Sequence, residues 1–483
     1  LQYTHGYGYT MSPVNETDEQ GKPLYIVKDI PPKTTVDIPI DQMGVYFGQL
    51  TDNYSIVKTD APELDYLTTQ ETKTTSYKGY GGVRVGGPLR KLLFSLRFSD
   101  VNMLLNANIE PTSRILFNRE IKQRTEALLP FLLFDNDPYL VTVNGNLYWM
   151  RDGYTTTDSY PYSVHYAIGD REFNYIRNSV KVVVDAYTGK VDAYYTDKPQ
   201  ADPIIKTYAR IFPGILKPIS KMPAELQAHI RYPEDLFRAQ TAVYTRYHYS
   251  RNRPGDFYNN ADLWAIPNRA DLTGGGVSQG SQMEPYYIIM KLPNGASEEF
   301  LLMTPYVRGG AERKNMVAWI CARCDAANYG RLVIYRFPEN KNVYGPEQVA
   351  GLASQDPVIS PQLTLWNKEG SSVGTGNLMV IPIENSLLYV MPVYLVSTQT
   401  QIPQIVEVIV ALGNKIAMRP TLSEALTAVV GAPVSSVPSM GTSAEGVAAP
   451  TKPGAAPKPG RMPGMPGAAP SAEVARLVNQ AVS

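Results

Sequence analysis

The chain has 483 residues, with Lys+Arg 45 against Asp+Glu 45, 43% hydrophobic and 19% charged residues. That length suggests two to four domains of roughly 100–200 residues each, with enough apolar mass to fill real cores. A net charge of zero with no strongly basic block argues against non-specific nucleic-acid binding, and no apolar run of about 18 residues is present to span a bilayer.

The first residues, Tyr3-Thr4-His5-Gly6-Tyr7-Gly8, come without an initiator Met or the basic, apolar and small-residue segments of a secretory leader. The expectation is a domain released from something longer. To about residue 75 the chain reads as short extended segments broken by Pro and Gly, such as Leu24-Tyr25-Ile26-Val27. A glycine-rich joint over Gly79 to Gly87 follows, then Pro88 at a first helical turn, with Leu89, Leu92, Leu93, Leu96, Val101 and Leu104 at helical spacing. A second helix is predicted from Arg114 to Phe131.

Two hairpins come next. Tyr139 to Val143 and Asn146 to Arg151 flank Asn144-Gly145, which supplies two positive-φ positions, and Ser179 to Asp185 returns through Lys190 to Tyr195. Asp202 to His248 turns helical, with Glu234 and Asp235 placed in a first turn, where the dipole favours acids. From Glu284 strands return, and a late helix at Thr421 to Val430 ends the fold. Pro, Gly, Ala and Ser then dominate to Pro470, a composition too poor in apolar surface to order itself. The expected division is an α+β region over 1–132, hairpins with a helical segment over 133–270, and a β-rich domain over 271–431. A flexible linker over 432–470 and a short possible docking helix over 471–483 complete it.

The chemistry-bearing candidates are few. Cys321-Ala322-Arg323-Cys324 are the only two cysteines, without the second ligand pair that zinc needs. Gly276-Val277-Ser278-Gln279-Gly280 matches a nucleophile elbow but lacks an apolar strand before it, so it reads as a loop. The glycines of Gly79 to Gly87 precede a helix as a phosphate cradle does, but fit neither phosphate-binding pattern; hinge and turn use explains them more simply. Asp135, Asp137, Asp152 and Asp158 flank the first hairpin. They admit three readings: turn formation, a calcium site, or the paired acids of a glycoside hydrolase. The catalytic residues are otherwise unknown. Tyrosine appears 33 times against 12 Phe and 4 Trp, which fits a β protein with half-buried strands and also suits extracytoplasmic surfaces, interfaces and sugar-binding faces. His5, a loop histidine among aromatics, reads either as a packed, hydrogen-bonded side chain or as a switch or ligand; with Tyr154, Tyr160 and Tyr162 it makes up the interaction candidates.

Several stretches together carry a resemblance: Tyr3 to Gly8, Ser113-Arg114-Ile115-Leu116-Phe117, Tyr154-Thr155-Thr156 through Tyr160-Pro161-Tyr162-Ser163, Asn174 to Lys181, and Tyr232-Pro233-Glu234-Asp235-Leu236-Phe237. From Tyr3 to about Leu426 the chain resembles uncharacterised protein family 0182, bacterial and archaeal membrane proteins with no assigned activity. The resemblance implies a large domain outside the cytoplasm that follows several amino-terminal membrane helices absent from this chain. The expectation is therefore a multidomain α+β protein with mixed, mostly antiparallel sheets, at the extracytoplasmic face of the cell membrane. It would assemble with itself, with membrane-protein partners or with cell-wall polymer. The alternatives are an envelope hydrolase using paired carboxylates, a calcium-stabilised module, and the cap of a transporter.

Overall fold

The structure is a computed structural model that describes residues 2–431, apart from 15–16, 19–21, 69–70, 197–201, 250–253, 270–271, 273–280, 294, 311–313, 326, 339, 368–370, 384–385 and 398–402. The Gly276 to Gly280 loop and the tail and docking segment expected over 432–470 and 471–483 lie outside the described residues. The described chain is α+β, with mostly antiparallel sheets. It forms two compact units. One is built mainly from Pro23–Tyr247 and takes back Ala322–Arg331; the other is built from His248–Cys321 and 332–431.

In the first unit a small sheet joins β1 (Ser55–Val57), β2 (Val83–Arg84) and β3 (Arg114–Leu116) in the order β1-β3-β2. Between β2 and β3 the chain rises into helices α1 (Pro88–Phe98) and α2 (Asn102–Leu105). The helix expected from Arg114 to Phe131 is shorter than that. Arg114 to Leu116 pair with β1, Asn118 takes a positive φ of 47°, and only at Glu120, whose carboxylate accepts from the N–H groups of Lys122 and Gln123, does α3 (Ile121–Leu128) begin. Of the glycines at the joint, Gly81 is the most constrained: a Cβ there would sit 2.0 Å from the Thr188 carbonyl oxygen. Close packing thus accounts for a glycine at that position.

The main sheet of this unit runs β4 (Leu133–Phe134), β6 (Asn146–Thr157), β9 (Tyr175–Asp185), β10 (Val191–Tyr195) and β11 (Leu216–Pro218), with β5 (Tyr139–Val143) also on β6. The β5–β6 turn uses Asn144 at φ 49° and Gly145 at φ 73°, as the Asn-Gly pair foretold. β6 continues as strand to Thr157, so Asp152 belongs to the sheet and not to a turn. Because side chains alternate, Val180, Val182 and Val184 enter one core with Phe47, Leu132 and Phe134. Val183 and Met150 enter another on the opposite face, with Val141 and Met222. A small hairpin of β7 (Tyr166–Ile168) and β8 (Arg171–Phe173) lies between β6 and β9 in sequence. Helices α4 (Pro203–Ile211), α5 (Ala224–Gln227) and α6 (Glu234–Tyr247) complete the unit.

The second unit has two five-stranded sheets. The first orders β12 (Trp264–Ala265), β14 (Glu298–Arg308), β15 (Met316–Arg323) and β16 (Leu332–Arg336), with β13 (Tyr286–Lys291) on β14. The second orders β17 (Ser371–Thr375), β19 (Ser386–Ser397), β20 (Pro403–Leu412) and β21 (Lys415–Arg419), with β18 (Met379–Ile383) on β19. Besides a short α7 (Pro254–Asn259), helices α8 (Pro346–Gln355) and α9 (Ile359–Trp366) bury Val349, Ala353, Ile359 and Leu363 in a core around Trp319 and Met391. Helix α10 (Leu422–Val430) lays Ala425, Leu426, Val429 and Val430 on Val390 and Val410.

Candidate functional site

A concavity within the first unit is built from α6 and the strands before it. Proline 233 and two acids start α6, and Ala239, Gln240, Val243, Tyr244 and Tyr247 then fall along one side of it. Facing them are Tyr162, Ser163 and Val164, Tyr166 and Phe173 of the β7–β8 hairpin, Asn174, and Ile176 of β9, around a cavity of about 430 Å³. Asn174 fixes the near wall: its amide donates to the Tyr160 carbonyl at 2.7 Å, its side-chain oxygen accepts from the Tyr160 N–H at 3.0 Å, and its own carbonyl accepts from Ser163 Oγ at 2.6 Å. Tyr160 stacks on Tyr175 with ring centroids 5.2 Å apart, and Tyr162, at φ 59°, is fully exposed at the rim.

Behind α6 the sheet carries buried polar groups. Asp152 on β6 and Lys181 on β9 stand directly opposite each other and form an ion pair with both side chains almost wholly enclosed. Burial pushes the Asp152 carboxyl up, and Lys181 pulls it back. Lys181 Nζ also donates to Tyr329 Oη at 2.6 Å, and the Asn178 amide donates to the same oxygen at 3.1 Å. The Tyr232 ring lies 5.9 Å from that of Tyr329, and its hydroxyl donates to Gln240 Oε1 at 2.7 Å. Burial pushes Tyr232 up to about 12, so it stays a neutral donor at any ordinary pH. The network therefore ends on a groove-lining amide and holds it in place.

A second knot fixes the start of α6. Tyr154 Oη donates to Asp135 Oδ2 at 2.6 Å, the Asp235 N–H donates to the same oxygen at 3.2 Å, and the Asp137 N–H reaches Asp135 Oδ1 at 3.0 Å. Asp235 in turn accepts from the Asn136 N–H at 3.0 Å; its carboxyl is pushed up by burial and by the charge of Asp135.

The expected site residues fall as follows. Asp135 and Asp152 are neighbours, since the Asp135 N–H donates to the Asp152 carbonyl, but protein donors already engage both carboxylates. Asp137 pairs with Arg231 at the surface, and exposed Asp158 accepts from Ser159. None of the four lines the groove. Among the described residues no group of three or more His, Cys, Asp or Glu side chains is disposed to hold a metal ion. Tyr154 is not a surface aromatic: its ring is completely buried, because its hydroxyl has Asp135 as an internal acceptor. His5 is packed on Tyr46 at 4.4 Å, with Nδ1 2.9 Å from Thr4 Oγ1 and Nε2 3.3 Å from Asp65; burial holds it below its ordinary value. Cys321 and Cys324 are buried thiols, and burial raises Cys324 to about 11, far from a reactive thiolate.

Lys181, Tyr329, Gln240, Tyr244 and Tyr247 are not among the expected site residues. A lone lysine inside Val180-Lys181-Val182-Val183-Val184 was a signal, since a charge in an apolar strand needs a buried partner. The partner at Tyr329, far along the chain, left no local mark.

The chain matches the sequence profile described as Uncharacterised protein family (UPF0182) over residues 1–366. It belongs to that family. It is 46% identical over 431 residues to a UPF0182 protein of Pelotomaculum thermopropionicum, covering 89% of this chain and 46% of that one. It is 48% identical over 433 residues to a UPF0182 protein of a Sulfurovum species, covering 89% and 46%. A Synechococcus UPF0182 protein is 44% identical over 439 residues, covering 88% and 50%. The chain thus spans about half the length of the curated relatives it matches. No solved structure matches it.

Proposed function

We propose that the chain is the extracytoplasmic domain of a membrane-anchored envelope protein and that it works by binding, with the α6 groove receiving a strand of cell-wall polymer. The observation that carries this reading is the groove lining: Tyr162, Tyr166, Phe173, Tyr244 and Tyr247 beside the amides of Asn174 and Gln240. Sugars present apolar C–H faces to aromatic rings and hydroxyl edges to amides, and pockets of this make-up gain orientation from a few fixed polar groups. Among the described residues the lining is aromatic, aliphatic, hydroxyl and amide in character, the make-up of a binding surface. In this reading membrane attachment comes through parts of the longer relatives beyond the matched half.

Co-sedimentation of the chain with isolated wall sacculi, and calorimetric titration with soluble wall oligosaccharides, test it. Tyr162→Ala with Tyr244→Ala should weaken binding by about tenfold or more, as expected for aromatic anchors. Unchanged binding in the double variant, or no binding of any wall polymer by the parent chain, sinks the reading.

A further inference from the structure

Helix α1 has its leucines on the wrong side. Leu89, Leu92, Leu93 and Leu96 follow the i, i+3, i+4, i+7 spacing of a core-facing stripe, yet keep 67, 44, 56 and 69% of their surface exposed. The side that does pack is carried by Phe94 and Phe98, against Tyr54 and Phe117. Val101, Leu104 and Leu105 add exposed apolar surface on the adjoining turn and α2. Seven large apolar side chains in one short helical pair far exceed the scattered exposure that needs no explanation.

The pair is also firmly mounted. The Val85 N–H donates to the Ser113 carbonyl at 2.9 Å, Lys91 Nζ donates to the Ile109 carbonyl at 3.2 Å, and Ser95 Oγ donates to the Asp100 carbonyl at 2.7 Å. The leucines are thus held outward by a closed local structure.

The charges around the stripe say what it meets. From Pro88 to Asn108 the chain carries Arg90, Lys91 and Arg97 against one acid, Asp100, whose carboxylate accepts from the Tyr54 hydroxyl and the Asn102 N–H. Arg90 and Arg97 lie one helical turn-pair apart on the side flanking the leucines, both exposed, with Arg97 over the Phe98 and Phe117 rings. A leucine stripe bordered by arginines, on a helix too short to cross a membrane, is the pattern of an element that lies in the bilayer interface. Its apolar face enters the acyl boundary there, and the guanidinium groups stay at the phosphates. No helix among the described residues is long and apolar enough to cross a membrane.

We infer that the α1–α2 pair is a membrane-surface foot, seating Leu89, Leu92, Leu93 and Leu96 in an anionic lipid surface with Arg90 and Arg97 against lipid phosphates. This goes beyond the wall-polymer reading and holds whatever the groove binds. The test is flotation of the whole chain with vesicles of phosphatidylcholine alone and of phosphatidylcholine with phosphatidylglycerol. The parent chain should float with the anionic vesicles. Leu89→Ser with Leu93→Ser and Leu96→Ser should cut that binding by about tenfold or more, with an unchanged melting temperature. Arg90→Glu with Arg97→Glu should abolish the preference for anionic vesicles. Failure of the parent chain to float, or equal flotation of the serine variant, overturns the inference. So does a serine variant that only loses concentration-dependent self-association, which would make the occupant a second copy.

Discussion

Helix α10 lays Ala425, Leu426, Val429 and Val430 onto the β19–β20 sheet, whereas α1 turns Leu89, Leu92, Leu93 and Leu96 to solvent and packs through Phe94 and Phe98. Both segments show apolar residues at helical period, and both are helical. The ends differ: Thr421 Oγ1 accepts from the Glu424 N–H and Gly431 closes α10 at φ 80°, while Gly87 caps α1 without a side chain. Periodicity reports which side chains share a face. It does not report what that face meets, because that is decided by elements distant in sequence.

The contrast can be pressed from the interior outward. Lys181→Met should have the largest effect, about 3–5 kcal/mol by chemical denaturation, because it strands the buried Asp152 carboxylate; adding Asp152→Leu should return most of the loss. Recovery of nothing in the double variant would show that the pair does more than neutralise itself. Leu426→Ala on α10 should cost about 2–5 kcal/mol, the usual range for a fully buried leucine. Thr421→Ala, which removes the cap and leaves the buried face intact, should cost about 1 kcal/mol. His5 should give a smaller, pH-dependent effect. Its proton affinity is lowered by burial, so below pH about 6.5 the unfolded chain takes up the proton first; stability is complete above that value and declines as pH falls. His5→Gln should flatten that decline in melting temperature measured across mildly acid pH. Least of all, Leu93→Ser on α1 should shift stability by no more than about 0.5 kcal/mol. A cost like that of Leu426→Ala would mean that the α1 stripe is covered in the free chain, and the comparison would fail.

Much of this fold was legible locally. Asn144-Gly145 set the β5–β6 turn, Pro88 started α1, Glu234 and Asp235 opened α6, and Thr421 opened α10, each through chemistry within a few residues. The misreadings came where tertiary pairing overrode pattern. Arg114 to Leu116 looked helical but pair with Val57 and Arg84, and Asp152 looked like a turn acid but faces Lys181 across a strand pair. The groove was the least legible. Tyr162 was picked out, but its counterparts Gln240, Tyr244 and Tyr247 come from a helix whose tyrosines look no different from any others.

The return of Ala322–Arg331 to the first unit has a consequence for synthesis. As the chain leaves the ribosome, β6 and β9 emerge long before Tyr329, so the ammonium of Lys181 waits without one of its two acceptors while most of the second unit's first sheet is made. A fragment ending at Tyr247 would keep that gap permanently. The first unit is therefore finished late and cannot be excised as one continuous stretch, so a genetic dissection that cuts at residue 247 removes a hydrogen-bond partner from the centre of what it means to isolate.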